Sequence, residues 1–84
     1  MRRNSLDICA DLLKIARDGA RKTQLVYKAN LNFSIIKKYI ERLKVNGFLV
    51  SKNGYYITTE RGSKFIDQYH ELVELHQPHT EMIT

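Results

Sequence analysis

Lys22–Val50 reads KTQLVYKANLNFSIIKKYIERLKVNGFLV, and the spacing of its apolar residues and breakers decides the fold. A short helix is expected after Thr23, whose hydroxyl can cap the first turn. Leu25, Val26 and Ala29 give it an apolar face, flanked by Tyr27. Asn30 ends it, because asparagine tolerates the left-handed conformation of a helix terminus. Asn32 then caps a second helix. Leu31 before the cap and Ile36 after it occupy the two positions of a hydrophobic staple.

In that second helix Ile36, Ile40 and Leu43 recur at four- and three-residue spacing, so they share one face. Phe33 and Tyr39 flank it. At about 100° per residue the opposite face carries Ser34, Lys37, Lys38, Glu41, Arg42 and Val45. The inner face is built to pack and the outer face is mostly basic. Asn46-Gly47 stops the helix, and Phe48–Lys52 continues as a strand. Helix, tight turn, helix, glycine stop and strand is the order of a helix-turn-helix followed by a wing.

Asn53-Gly54 after this strand is the strongest two-residue hairpin signal, since a type I′ turn needs positive φ at both positions. Tyr55–Thr58 is the return strand, with Lys52 and Asn53 at the tip of the wing. The tight turn limits how far that tip reaches toward a phosphate or a minor groove.

Upstream, Ser5 or Asn4 caps a helix expected to run to about Asp18, where Gly19 ends it. Ile8, Leu12, Ile15 and Ala16 make its buried stripe, with Cys9 and Leu13 beside it. Lys14 and Asp18 are spaced to pair across one turn. Downstream, Thr59 caps a last helix from Glu60 to about His76, and Pro78 stops it. Phe65, Ile66, Tyr69, Leu72 and Val73 make a stripe wider than one contact needs. Phe65, Tyr69 and Leu72 are expected to face the first helix. Ile66 and Val73, seven apart, would be left to water and to a partner, with Tyr69 between them.

The 84 residues make one small domain, with a thin core that oligomerisation would reinforce. Composition is 43% hydrophobic and 27% charged, which suits a soluble globular chain. No apolar run approaches the roughly 20 residues of a membrane span. Arg2 and Arg3 are followed at once by Asn4, Ser5 and Asp7, with no apolar core of a signal peptide. The single Cys9 excludes an intrachain disulfide. A cytoplasmic location is expected.

The net charge is +5 and the pI about 9.5. Residues 1–64 hold all 14 Lys and Arg against five acidic residues, a local charge of +9. Residues 65–84 hold four acidic residues and no Lys or Arg, a local charge of −4. A basic body with an acidic end suits a polyanion bound at the body. A solvated basic surface is the plainer alternative.

Enzyme chemistry is not visible. His70, His76 and His79 are not grouped as metal ligands, and no cysteine lies near them. The glycines stand alone, without a phosphate-cradling loop. No Ser or Cys nucleophile has a histidine partner within the body of the domain. Cys9 reads as a small core residue. No cofactor is expected.

Lys22–Phe33, then Tyr39-Ile40 with Leu43, Gly47, Tyr56 and Thr59-Glu60-Arg61-Gly62, resemble a family of small archaeal winged-helix DNA-binding proteins. That family includes the ten-kilodalton nucleoid-associated proteins of Sulfolobus and many predicted transcription regulators. The resemblance runs from about residue 5 to residue 75. Its Lys-Thr…Tyr-x-Ala-Asn-Leu segment is the specific part; Thr-x-x-Gly is common among winged helices. It implies a winged helix that binds DNA in an archaeal cytoplasm. Nucleoid members dimerise through a long C-terminal helix in an antiparallel coiled coil, and this chain departs from them where Pro78 stops its helix.

The expected architecture is therefore α+β and mainly α: three helices, a two-stranded wing and a C-terminal helix. Residues 1–77 form the domain, about 60–76 its dimerisation helix, and 78–84 a flexible tail. The expected function is specific or weakly specific binding of double-stranded DNA, as a transcription regulator or nucleoid-associated protein. Ser34, Lys37 and Lys38 would enter the major groove; Lys22, Thr23 and Lys52 would touch phosphates; Asn32, Arg42 and Asn53 complete the contact set. A homodimer is expected through Ile66, Tyr69 and Val73. The alternative is a winged-helix docking module without nucleic acid, since fold alone does not decide. RNA fits less well, because an A-form major groove does not admit a helix.

Overall fold

In the computed structural model residues 4–76 are described, without the His76 side chain. The expected tail over 78–84, with Pro78 and His79, lies outside them. Asn4 opens the chain's first helix, α1 (Ser5–Ile15). Its side chain accepts the Asp7 N–H at 2.8 Å, and the Asp7 carboxylate accepts the Asn4 N–H at 3.2 Å, a reciprocal capping box. The helix stops at Ile15, three residues short of the expected end. Residues 16–18 form a turn instead, and Gly19 follows at φ 95°. Asp18 thus falls outside the helical spacing that would pair it with Lys14. The cause is tertiary: the Ala16 carbonyl accepts the Thr58 N–H at 3.0 Å, and the Thr58 hydroxyl donates to the Leu13 carbonyl at 2.6 Å. The wing takes over carbonyls that further helix would have used.

The next helix, α2 (Lys22–Ala29), starts earlier than expected. Arg21 holds the cap position and Thr23 lies inside the first turn. The Gln24 side chain reaches back to accept the Arg21 N–H at 2.9 Å. The start is fixed from outside, because Ala20 exchanges two hydrogen bonds with Tyr56, at 2.9 and 2.7 Å. The chain is held extended through Ala20, and the helix begins as soon as it is released. Asn30 ends α2 in the left-handed conformation, φ 58° and ψ 49°.

Asn32 caps α3 (Phe33–Val45), accepting the Ile35 N–H at 2.8 Å. Ile36, Ile40 and Leu43 are its buried residues. Gly47, at φ 78°, ends it. The Phe48 N–H donates to the Leu43 carbonyl at 2.9 Å and the Gly47 N–H to Lys44 at 3.0 Å, the paired bonds of a Schellman motif.

β1 (Leu49–Lys52) and β2 (Tyr55–Thr58) pair antiparallel, with Leu49 opposite Thr58 and Lys52 opposite Tyr55. Asn53 and Gly54 have φ 52° and 83°, as the turn requires.

α4 (Glu60–His76) is capped by Thr59. The Thr59 hydroxyl accepts the Gly62 N–H at 3.0 Å and donates to the Gly47 carbonyl at 2.7 Å. Gly62 lies against the Phe48 carbonyl and the Thr58 methyl. At about 100° per residue, Gly62, Ile66, Tyr69 and Val73 share one face of α4. That face turns inward, and it corrects the expected assignment. Ile66 is 1% exposed and belongs to the core, not to a partner, whereas Leu72 is 52% and Leu75 75% exposed. Val73 is half-buried. The Tyr69 hydroxyl donates to the Asp7 carboxylate, tying α4 to the first turn of α1.

One cluster joins these elements: Leu12, Leu13 and Ala16 of α1, Leu25 and Ala29 of α2, Ile36, Ile40 and Leu43 of α3, with Ala20, Leu49 and Ile66. Phe48 and Phe65, with ring centroids 5.1 Å apart, close its lower edge.

Candidate nucleic-acid interface

α3 displays the basic face. Ile36, Ile40 and Leu43 clamp its inner side into the core, so Ser34, Lys37, Lys38, Glu41, Arg42 and Val45 all point to solvent. From Ser34 to Val45 the displayed row runs about 16 Å at 1.5 Å per residue. A helix of this diameter fits a major groove about 12 Å wide.

The crest is uniform neither in charge nor in polarity. Glu41 lies among the lysines on the outward side. Arg42 leans to one shoulder, its guanidinium 5.8 Å from the centre of the Tyr39 ring. It also lowers the pKa of Cys9 on α1, although desolvation dominates there and pushes the Cys9 thiol up. The Tyr39 hydroxyl is 3.0 Å from the Ser5 hydroxyl. Arg42 therefore sits between α3 and α1, away from the first two turns, where Ser34, Lys37 and Lys38 stand. Lys44, exposed on the same side as Lys37, extends the basic surface and was not singled out from sequence.

Asn32 is committed to its cap through Oδ1; its two amide hydrogens remain available as donors. Lys22 and Thr23 are the first two residues of α2, half-buried and exposed respectively. The Arg21 guanidinium lies 4.9 Å from the centre of the Tyr55 ring. That contact brings a further cation between the start of α2 and the wing. Its signal in the sequence was the run Arg21-Lys22-Thr23; the Tyr55 partner was not legible there. Lys52 and Asn53 are exposed at the wing tip, where they line a shallow hollow with Asp18, Gly19, Tyr55 and Ile57. Asp18 tempers the positive potential of the tip.

Among the described residues no group of three or more His, Cys, Asp or Glu side chains converges as a metal site. Among the same residues no helix is long and apolar enough to cross a membrane.

Residues 2–77 match a family described as winged helix-turn-helix. An uncharacterized protein of Methanocaldococcus jannaschii is 32% identical over 75 residues, covering 88% of this chain and 77% of the relative. A second uncharacterized protein of that organism is 28% identical over 79 residues, 93% of this chain but 37% of the relative. Among solved structures, Sso10a-2, a DNA-binding protein from Sulfolobus solfataricus, superposes with a TM-score of 0.79 at 25% identity. The match spans 87% of this chain and 81% of that one.

Proposed function

Since the chain belongs to the winged helix-turn-helix family, we propose that it binds double-stranded DNA by setting the outer face of α3 into the major groove. The observation that carries this is the pair Lys37 and Lys38, exposed beside Ser34 on a helix whose opposite side is locked in the core. The likeness to a DNA-binding protein of Sulfolobus solfataricus supports the reading. Lys22 and Thr23 at the start of α2, and Lys52 with Asn53 on the wing, contact flanking phosphates. Arg21 joins them.

Lysine carries a point charge rather than the planar fork that reads guanine, so most of the affinity is electrostatic and specificity is weak. Such a protein acts as a nucleoid component or as a regulator of broad range. It works as a homodimer. The seam is formed by Leu72 and Leu75 on the outward side of α4 and Leu6, 52% exposed on the α1 turn to which Tyr69 is tied. Two recognition helices then address neighbouring major grooves.

Titration of random and operator-like duplexes at several salt concentrations tests the reading. Binding with a steep inverse dependence on salt supports it. Absence of binding at low salt would replace it with a protein-docking module. That second reading is favoured by one observation: Phe33 and Ile35 expose apolar surface, 54% and 37%, beside the lysines.

A further inference from the structure

α3 turns four side chains away from the core. Ser34, Lys38, Glu41 and Val45 follow one another at spacings of four, three and four residues. At about 100° per residue they lie within about 60° of one another. Buried Ile36, Ile40 and Leu43 stand on the opposite side, and all four outward residues are exposed. Lys37 lies on one shoulder of this crest and Arg42 on the other. With α3 in a major groove, the shoulders approach the two phosphate strands and the crest approaches the base edges. The side chains placed to read bases are therefore those of the crest, and one of them is an acid.

Glu41 is out of place if charge is all that α3 supplies. Its carboxylate stands on the surface turned toward a polyanion, where it opposes binding. Its ordinary use would be an ion pair with Lys37, Lys38 or Lys44, one turn away on the same helix. Lysine four residues before glutamate is the weaker order for such a pair. Among the described residues none forms a hydrogen bond or ion pair with the Glu41 carboxylate. A carboxylate accepts hydrogen bonds and donates none. The major-groove floor offers two donors, the amino groups of cytosine and adenine. In adenine the amino group stands beside the N7 lone pair, which repels an anion, whereas in cytosine its neighbour is a C–H. Cytosine is thus the base whose edge offsets the charge of Glu41.

We propose that Glu41 is a specificity residue that accepts a hydrogen bond from the amino group of cytosine, with Lys37 and Arg42 holding α3 in register from the flanking phosphates. The inference rests on the DNA-binding reading above and adds to it a preference at one base position. The lysines supply affinity for any duplex. Glu41 weakens binding wherever the base below it offers no free donor.

The test selects duplexes from a random pool. Affinity is then measured for the selected site and for the same site with its cytosine–guanine pair changed to thymine–adenine, which puts a carbonyl acceptor where the amino donor stood. The unaltered protein should select cytosine at a fixed position and lose at least about fivefold in affinity on the exchange. Glu41→Ala should lose that preference. It should also bind the unselected pool at least about twofold more tightly at low salt, because a charge of the same sign as the phosphates has gone. Glu41→Gln should move the preference to adenine, since an amide pairs with adenine N6 and N7. A surface charge without a base contact would not redirect selection in this way. Glu41 is exposed and both replacements are good helix formers, so both variants fold. The absence of a cytosine preference in the unaltered protein, or the same preference in Glu41→Ala, overturns the inference and leaves DNA binding standing. Failure to bind any duplex at low salt overturns the DNA-binding reading itself, and this inference with it.

Discussion

Replacing Gly62 by alanine sets two effects of opposite sign against each other. Helix propensity alone favours alanine in α4 by about 1 kcal/mol. The structure opposes it. A Cβ at Gly62 would stand 2.7 Å from the Thr58 methyl and well inside the contact radius of the Phe48 carbonyl oxygen. That carbonyl cannot swing away without loss, because it accepts the Thr59 N–H at 3.0 Å. Retreat of α4 would draw Ile66 out of the core and loosen the bond from Gly62 N–H to the Thr59 hydroxyl. Overpacking costs about 1–3 kcal/mol, and an obstruction made of backbone belongs at the upper end. The net expectation is a destabilisation of about 2 kcal/mol after the propensity gain. For a domain of this size that lowers Tm by roughly 8–16 °C. Thermal unfolding followed by far-UV circular dichroism, with urea titration at 25 °C, measures it. A Gly62→Ala protein as stable as the parent, or more so, would refute the close packing of α4 on the wing.

Changing Lys37 and Lys38 together to Ala should weaken duplex binding at least about tenfold at moderate salt and reduce the slope of log affinity against log salt by about 2; an unchanged slope in a folded variant contradicts their electrostatic role. Asn32→Ala removes the acceptor for the Ile35 N–H and should cost about 1 kcal/mol in urea unfolding, with Asn32→Ser recovering most of it. The Tyr69 hydroxyl is held neutral by its bond to the Asp7 carboxylate, with its pKa pushed up to about 12. A raised folded-state value means that this bond contributes fully below the ordinary tyrosine pKa of about 10 and is lost as pH rises through the folded value. The stability difference between the parent and Tyr69→Phe should be flat from about pH 6 to 9 and vanish near about pH 12; a difference that grows with pH in that window excludes the assignment. Sedimentation equilibrium of Leu72→Asp with Leu75→Asp should give a monomer where the parent gives a dimer. The charge is placed there because aspartate at buried Ile66 would unfold the chain instead.

Much of this protein is written in local code. Asn53-Gly54 specifies its turn because the backbone needs positive φ at two adjacent positions, whatever surrounds it. Asn32 and Gly47 bound α3 for reasons confined to one helical turn each, and the spacing of Ile36, Ile40 and Leu43 fixes which way its lysines point. The exposed basic face of α3 was therefore legible before any packing was known. Three features were not. Thr23 was competent to cap α2, yet the cap position fell to Arg21, with the Gln24 side chain accepting its N–H, because Ala20 is pinned to Tyr56, 36 positions along the chain. α1 stops at Ile15 because Thr58 claims the Leu13 and Ala16 carbonyls. The apolar stripe of α4 is wide enough to bury along either edge, and periodicity cannot choose between them. The choice was made where Gly62 lets the helix backbone close on the Phe48 carbonyl, which turns Ile66 inward and leaves Leu72 and Leu75 outside. Contacts within one turn of chain are set by neighbours in sequence. Where an element begins, ends and faces is set by whichever distant group claims its hydrogen bonds or its free space first.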